Sequence, residues 1–232
     1  LAVHFTPDPQ FTFHRSRHLL NNLASYDLAI TTKTYELDYY REILGDDVMF
    51  VYQGYSNRIN HELGKTAPPE MRSDVAFIGH CEPHYAIHLE AASKTTENLA
   101  IWGAGWDKLA QQSEHWASKH VRGAGMYGNE YSTALGGAKI ALGLVSKLCP
   151  DQSTTRSFEI PASGTFMLAE RTDEHMALFE EGVEAEFFSS SEEMQDKLRY
   201  YLTHDAEREK IAAAGLRRCK ESGYSTAAQY EQ

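Results

Sequence analysis

The stretch DQSTTRSFEIPASGTFMLAE, residues 151–170, decides the fold of this chain. Ser153, Thr154 and Thr155 near its start are residue types that favour the N-cap of a helix. A helix is therefore predicted to begin at one of these positions. A core strand is predicted directly after this helix, and such a succession is typical of an α/β protein.

Two charged side chains fall early in this helix. Arg156 and Glu159 are three residues apart, so both side chains lie on one helical face. A helix N-terminus binds a diphosphate through its free N–H groups and partial positive charge. An arginine there adds charge-assisted hydrogen bonds of about 1.5–3 kcal/mol each, and a carboxylate one turn on can accept both hydroxyls of a ribose. The spacing suits a nucleotide sugar, and it also fits a surface helix with an ordinary ion pair.

The helix is predicted to end at Ser163 and Gly164, because a serine–glycine pair is a common stop signal. Residues 165–169 then read as a short buried strand. The backbone at Ser163 and Gly164 is expected to approach the donor closely.

The run TTRSFEIPASGTFMLAE resembles the C-terminal half of retaining GT-B glycosyltransferases, in the "glycosyl transferases group 1" branch that includes spore-maturation CgeB-like proteins. In that family an arginine precedes a phenylalanine–glutamate pair, and a small residue and a glycine come before a strand. The resemblance implies that Glu159, as the second acid of the E-x7-E motif, binds the donor ribose. Asp151 occupies the position of the first acid, where the family has the longer glutamate.

Composition and charge exclude several classes. The 232 residues allow one large domain or two smaller ones, and 42% hydrophobic with 24% charged residues is typical of a globular protein. A net charge of −11 argues against a nucleic-acid partner. Apolar runs stay below the roughly 18 residues of a membrane helix, so no transmembrane segment is predicted. Cys81, Cys149 and Cys219 are odd in number and far apart, which favours a reducing cytoplasm.

The order of elements predicts a doubly wound α/β pattern with parallel strands, and the resemblance implies two such lobes of the GT-B type. Residues 1–60 alternate between strand and helix and form the acceptor-side, Rossmann-like lobe. Three strands are too few for a sizeable core, so this lobe is expected to be incomplete. Because the sequence starts at Leu1 and not at a methionine, the chain is expected to be a fragment or processed product. Residues 61–73 read as a linker, 74–220 as the nucleotide-sugar-binding lobe, and 221–232 as a tail that packs back on the first lobe.

Further donor-binding residues are predicted at strand ends and loops. Gly79 and His80 follow a buried strand, where ligands bind in open α/β sheets. The resemblance implies that Tyr127 lies beside the nucleotide base, where it could stack, although a tyrosine among glycines is often structural. Trp106, after two glycines, is predicted to belong to the core.

Three histidines, His80, His84 and His88, recur at four-residue spacing on one predicted helix. They suggest either a metal site or a solvated helix face, and the solvated face is favoured here, with Pro83 in the first turn. GT-B transferases generally need no metal. No metal and no other cofactor are therefore expected.

Taken with the resemblance, these residues predict metal-independent, retaining glycosyl transfer. Thr155, Arg156 and the helix start would stabilise the leaving diphosphate of a UDP- or GDP-linked sugar, and Asp151 would orient the sugar. The acceptor is unidentified, with a cell-surface or protein glycan as the expected class. A non-catalytic nucleotide- or sugar-binding module remains open, whereas an oxidoreductase would need a full glycine fingerprint that the chain lacks.

Overall fold

The computed structural model describes residues 1–59, 62, 66–112 and 115–231. Within these residues the strands form a smaller sheet of three and a larger sheet of six, all parallel. This confirms the predicted α/β class with two doubly wound lobes. Positions 61 and 63–65 of the predicted linker, with position 60 before it and 232 in the tail, lie outside the described residues, and the domain boundaries stay a prediction.

The smaller sheet is built from the N-terminal elements. Its strands lie in the order β1-β2-β3. The elements are β1 (Val3–Thr6), α1 (Arg17–Asn22), β2 (Leu28–Thr31), α2 (Leu37–Leu44) and β3 (Val48–Phe50). The fully buried Glu36 fixes the loop after β1, because its carboxylate accepts hydrogen bonds from the N–H groups of Gln10, Phe11 and Thr12.

The larger sheet lies in the order β6-β5-β4-β7-β8-β9. Its strands and the remaining helices are β4 (Ser73–Ile78), α3 (Pro83–Ser93), β5 (Leu99–Trp102), α4 (Trp106–Ala110), β6 (Val121–Gly123), α5 (Gly128–Gly136), β7 (Ala138–Gly143), α6 (Thr155–Ala162), β8 (Phe166–Glu170), α7 (Asp173–Leu178), β9 (Glu186–Phe188), α8 (Ser191–Thr203), α9 (Asp205–Glu221) and α10 (Thr226–Tyr230). The chain runs outward from β4 to β6 and then reverses, so β4 and β7 are neighbours at a topological switch point. Ligands of such sheets bind outside the carboxyl ends of the strands at this point.

Both faces of the larger sheet are buried, and its strands are correspondingly rich in apolar residues. Alternate side chains point to opposite faces. Val75 and Phe77 of β4 belong to one core cluster, and Ala76 and Ile78 to the other.

Gly103 and Trp106, which follow β5, fix the position of the loop after β4. Trp106 is fully buried, as predicted for a core residue, and its indole N–H donates to the carbonyl oxygen of Gly79 at 2.8 Å. A Cβ at Gly103, where φ is +152°, would lie 1.9 Å from that same carbonyl oxygen. Only glycine allows the loops after β4 and β5 to pass this closely.

The end of the chain returns to the smaller lobe. Tyr55 and Ser225 form an isolated parallel bridge, and the ring of Tyr230 packs edge-on against Phe5 at 5.4 Å. The side-chain oxygen of Gln229 accepts a hydrogen bond from the N–H of Tyr52 at 3.2 Å. Residues of α10 therefore contact the elements around the smaller sheet.

Candidate functional site

A cleft of about 520 Å³ lies at the carboxyl ends of β4 and β5, beside the start of α6. Six residues predicted from the sequence line it: Gly79, His80, Tyr127, Thr155, Arg156 and Glu159. The predicted site residues do not include its other lining residues, among them Gly103, Ala104, Gly125, Met126 and Tyr131. The structure thus brings together residues that are up to 80 positions apart and places them at the switch point of the larger sheet.

The start of α6 is held in place from behind. Thr154 is the N-cap, as predicted, and has extended backbone angles. Its N–H donates to Oγ of Ser157 at 3.0 Å, and that hydroxyl is also hydrogen-bonded to Nε2 of the buried His175 at 2.7 Å. The first helical residue, Thr155, lines the cleft. The positive end of the helix dipole is therefore fixed at the cleft wall.

Arg156 presents a fixed cation at the same wall. Its guanidinium donates to the carbonyl oxygen of Leu144 at 3.0 Å and lies over the rings of Phe77 and Tyr85, at 5.5 and 5.9 Å from their centroids. Nε is buried and has no hydrogen-bond partner among the described residues. Gly79 makes room for this arrangement, since a Cβ there would lie 3.1 Å from Nη1 of Arg156.

Glu159 lies one turn further along α6. Its Oε2 accepts a hydrogen bond from the hydroxyl of Tyr131 at 2.7 Å. Burial raises the pKa of Glu159, while Tyr131 and the nearby Arg156 oppose that rise. The pKa of Tyr131 is raised strongly by burial, so its hydroxyl remains a donor. Tyr131 thereby orients the carboxylate of Glu159 in the cleft.

His80 lies on the loop after β4, before α3 begins at Pro83, so the prediction that it belongs to the helix is wrong. Its Nε2 lies 2.7 Å from Oε1 of Glu82, whose other oxygen accepts a hydrogen bond from Ser146 at 3.0 Å. The side chain of His80 is 58% exposed, whereas that of Glu82 is only 3% exposed. Glu82 thus anchors an accessible imidazole at the cleft.

Tyr127 is the most exposed aromatic side chain at the cleft, with 85% of its surface accessible. It is the N-cap residue of α5 and precedes Gly128, whose φ is +60°. An aromatic face left open in this way is able to stack on a planar ligand.

Asp151 lies outside this cleft, in the contact between the lobes. Its Oδ1 accepts hydrogen bonds from Nζ of Lys33 at 2.8 Å and from the hydroxyl of Tyr35 at 2.9 Å. The side chains of Lys33 and Asp151 are 6% and 9% exposed. Burial, followed by the Asp151 carboxylate, raises the pKa of Tyr35, so its hydroxyl remains a donor. The carboxylate predicted to face the donor sugar is therefore bound to the smaller lobe.

Ser163 and Gly164 also lie away from the cleft. Ser163 is the C-cap of α6, and Gly164 follows with φ of +75°. A helix of this length spans about 12 Å, which separates its end from the cation at its start. The pair ends the helix and leads the chain into β8, and neither residue is among those that line the cleft.

Another cleft, of about 620 Å³, lies at the outer edge of the larger sheet beside β6. Two arginines line it. Arg122 lies over the ring of Trp102 and already donates to the carbonyl oxygens of Glu70 and Arg72 and to the side chain of Asn98. Arg72 donates through Nε to the carbonyl oxygen of Ala67 at 2.9 Å. This cleft is larger, but no residue of α6 lines it, and both of its guanidinium groups are engaged by the protein. The cleft at α6 is the better candidate site.

The remaining histidines differ from their prediction. His88 is buried and His84 is only 26% exposed at its side chain, so the solvated helix face expected for them is wrong. His84 Nε2 lies 3.0 Å from Oε2 of Glu170 at the end of β8. Glu170 is 82 residues from His88, which is why local spacing could not reveal it.

Within the described part of the chain, no helix is both long and apolar enough to cross a bilayer.

Comparison with known proteins identifies a family. The model of the "Glycosyl transferase-like" family matches residues 86–232. A search of curated protein sequences finds no match.

Solved structures give the same fold. HepE from Anabaena, crystallised with UDP and glucose, has a TM-score of 0.73 at 12% identity, covering 99% of this chain and 69% of its own. Sucrose-phosphate synthase from Thermosynechococcus elongatus has a TM-score of 0.69 at 14% identity. The match covers 99% of this chain and 65% of the synthase chain. A third match is the C-terminal domain of LpcC from Francisella tularensis, a glycosyl transferase group 1 family protein. Its TM-score is 0.56 at 15% identity, and the match covers 75% of this chain and 100% of that domain. At these identities the likeness shows the fold, and the predicted GT-B type with Rossmann-like lobes is confirmed.

Proposed function

The chain belongs to the glycosyl transferase-like family, and from that membership we propose that it transfers a sugar from a nucleotide-activated donor to an acceptor. The observation that carries this proposal is the pairing of Arg156 with the start of α6 at the switch point of the larger sheet. A diphosphate leaving group gains negative charge in the transition state, and a cation and helix dipole fixed in advance stabilise that charge.

Different residues of the cleft bind different parts of the donor. Thr155 and Arg156 bind the diphosphate, Glu159 accepts the ribose hydroxyls, and Tyr127 stacks on the base. Gly79 and His80 line the side of the cleft nearest β4. UDP is the first choice of nucleotide, because HepE was crystallised with UDP-glucose, and GDP is the second.

Transfer is proposed to be metal-independent and retaining, in line with the resemblance to CgeB-like proteins. Arg156 takes the role that a metal has in other transferases, and Asp151 orients the donor sugar. For that role, Asp151 has to exchange its present contacts with Lys33 and Tyr35 for the sugar. A cell-surface or protein glycan is the proposed acceptor, and nucleic acid is excluded by charge.

A cytoplasmic location is part of the proposal. It rests on Cys81, Cys149 and Cys219, which are free thiols in the structure, as is typical of a reducing compartment.

A non-catalytic binding module is the second candidate. It is favoured by one observation, the buried ion pair that holds Asp151 away from the cleft. The two candidates separate in a turnover assay. A transferase releases UDP from UDP-glucose in the presence of an acceptor, whereas a module binds the nucleotide and releases none.

Binding itself is tested by calorimetry and thermal shift with UDP, GDP, ADP, CMP and NAD, each with and without magnesium. A nucleotide at a hundred times its Kd adds about 2.7 kcal/mol of stability, which raises the melting temperature by several degrees. A magnesium-independent shift with UDP or GDP is expected, and a shift with NAD alone would contradict the proposal.

Two variants then locate the diphosphate. Arg156→Ala is expected to weaken UDP binding by about 10–150-fold, the equivalent of one charge-assisted hydrogen bond, and to leave uridine binding unchanged. Glu159→Ala is expected to weaken the binding of UDP and the binding of uridine equally, because both ligands contain the ribose. Arg199→Ala is the matched control, because Arg199 is an exposed arginine whose guanidinium pairs with the exposed Asp196. Equal losses for UDP and uridine in Arg156→Ala would show that Arg156 does not contact the phosphates.

A further inference from the structure

Three potential metal ligands converge at the carboxyl end of β8. His84 and His88 lie one turn apart on α3, and Glu170 is the last residue of β8. One nitrogen or oxygen atom from each lies within 4.8 Å of the other two. Two of the three side chains are buried and the third is half-buried, so the cluster faces the protein interior.

The spacing of the cluster is close to that of a metal site. Zinc binds histidine nitrogen at about 2.0–2.1 Å and carboxylate oxygen at about 2.0–2.2 Å, so tetrahedral ligand atoms are about 3.3 Å apart. His84 Nε2 and Glu170 Oε2 are 3.0 Å apart. The two histidines are positioned by their i, i+4 spacing, with ring centroids 4.7 Å apart. The ligand atom of His88 lies within 4.8 Å of the other two, so it has to move closer by no more than about 1.5 Å to reach tetrahedral spacing.

Outer contacts already orient two of the three ligands. Nδ1 of His88 lies 2.9 Å from Oγ of Ser191 at the start of α8, which leaves Nε2 for a ligand. Oε1 of Glu170 accepts the N–H of Val145 at 2.9 Å, which leaves Oε2. Metal-binding histidines and carboxylates are characteristically held in this way by a second partner.

In the present structure the ammonium group of a lysine pairs with the carboxylate of this cluster. Nζ of Lys147 lies 2.7 Å from Oε2 of Glu170, the oxygen that also faces His84. The side chain of Lys147 is 48% exposed, so it can withdraw into solvent. A doubly charged cation held by two imidazoles and the carboxylate would compete directly with this ammonium.

We propose that His84, His88 and Glu170 bind a divalent transition metal of the zinc class, and that Lys147 neutralises Glu170 when the metal is absent. Two nitrogens and one oxygen suit zinc, cobalt or nickel, whereas magnesium and calcium prefer oxygen ligands. The bound metal joins α3 to β8, and Ser191 extends the link to α8. None of the ligands lines the cleft at Arg156, so the bound ion would not occupy the proposed donor site.

The test is titration calorimetry of the full chain, stripped with a chelator, with zinc and in parallel with magnesium. One zinc ion per chain is expected, with no magnesium binding at the same concentration. Cobalt in place of zinc is expected to give the visible absorption bands of a low-coordinate nitrogen-ligated ion. Absence of zinc binding would overturn the proposal.

Variants locate the ion. His84→Ala and Glu170→Gln are each expected to weaken zinc binding by more than about 100-fold, and Ser191→Ala by about 10–100-fold. Glutamine at 170 keeps an acceptor for the N–H of Val145, and the melting temperature in chelator checks that each variant is folded. His18→Ala is the matched control, since His18 is exposed and distant in sequence. Unchanged zinc affinity in the two ligand variants would mean that the ion binds elsewhere and would also overturn the proposal.

Lys147→Met provides a test that does not depend on losing a ligand. Because it removes the competing ammonium, it is expected to strengthen zinc binding, with both histidines and Glu170 intact. Weaker binding in Lys147→Met would contradict the proposed competition between the ammonium group and the metal. The expected rise in melting temperature with zinc, absent in His84→Ala, completes the test.

Discussion

The ion pair between Lys33 and Asp151 links the two lobes, and its removal is predicted to have a large and measurable effect. Nζ of Lys33, just after β2, lies 2.8 Å from Oδ1 of Asp151, just before α6. Both side chains are almost fully buried, and Tyr35 donates a hydrogen bond to the same carboxylate oxygen. Lys33→Met and Asp151→Asn each remove one charge while keeping the side-chain size.

The magnitude follows from the burial of the pair. Breaking a buried ion pair by removing one partner costs about 3–5 kcal/mol, because the other charge is left without compensation. Asp151→Asn keeps an acceptor for Tyr35, so we expect the lower end of this range. In a chain of this size, 3 kcal/mol corresponds to a fall of about 6–12 °C in melting temperature. The double variant has no uncompensated charge and is expected to recover most of the loss.

Urea denaturation of the wild type, both single variants and the double variant gives the coupling energy directly. We expect at least about 2 kcal/mol of coupling between positions 33 and 151. The exposed pair of Arg199 and Asp196, at 2.8 Å, is the matched control and is expected to contribute less than about 1 kcal/mol.

Two results would refute this reasoning. One is a loss in each single variant no greater than that of the exposed control pair. The other is simple additivity, in which the double variant loses the sum of both. Either would mean that the pair is open in solution and that Asp151 is free to meet a donor sugar. Loss of sugar transfer in Asp151→Asn with unchanged UDP binding would then assign Asp151 to the sugar.

Three more predictions concern the cleft, the loop after β5 and acid stability. Tyr127→Ala is expected to weaken UDP binding by about 1–3 kcal/mol in calorimetry without changing the melting temperature, because the ring is exposed and would only stack on the base. Gly103→Ala is expected to lower the melting temperature sharply, since its Cβ would lie 1.9 Å from the carbonyl oxygen of Gly79, and wild-type stability would contradict this. Arg171 holds the pKa of Glu181 down to about 2, so stability from this pair is present above about pH 4.5 and is lost as the pH falls toward 2. Urea denaturation over that pH range is expected to show that the free energy of unfolding falls less in Glu181→Gln than in the wild type. The difference is no more than about 1 kcal/mol, because solvent screens the pair.

Much of the fold could be predicted because parallel strands buried on both faces are short apolar runs between turn residues. β8 is a plain example, since the strand predicted over residues 165–169 is observed over Phe166–Glu170. The N-cap of α6 at Thr154 could equally be predicted, because N-cap preference is a local property. The short helices α4 and α10 were missed, since five residues give too little periodicity to detect.

The candidate site was likewise predictable only where its residues are close together in the sequence. Thr155, Arg156 and Glu159 follow from spacing within one helix, so the sequence was sufficient. The partner of Asp151 was not accessible, because Lys33 is 118 residues away. The same applies to Glu170, which reaches His84 across 86 residues. Contacts of this kind depend on how the sheet and the lobes assemble, and local patterns carry no information about them.

The most direct test of the central claim is a crystal structure of the chain with UDP. The diphosphate is expected at the start of α6, within hydrogen-bond distance of Thr155 and the guanidinium of Arg156, with the ribose hydroxyls on Glu159. A diphosphate bound instead beside Arg122, in the cleft at β6, with the start of α6 unoccupied, would contradict the account.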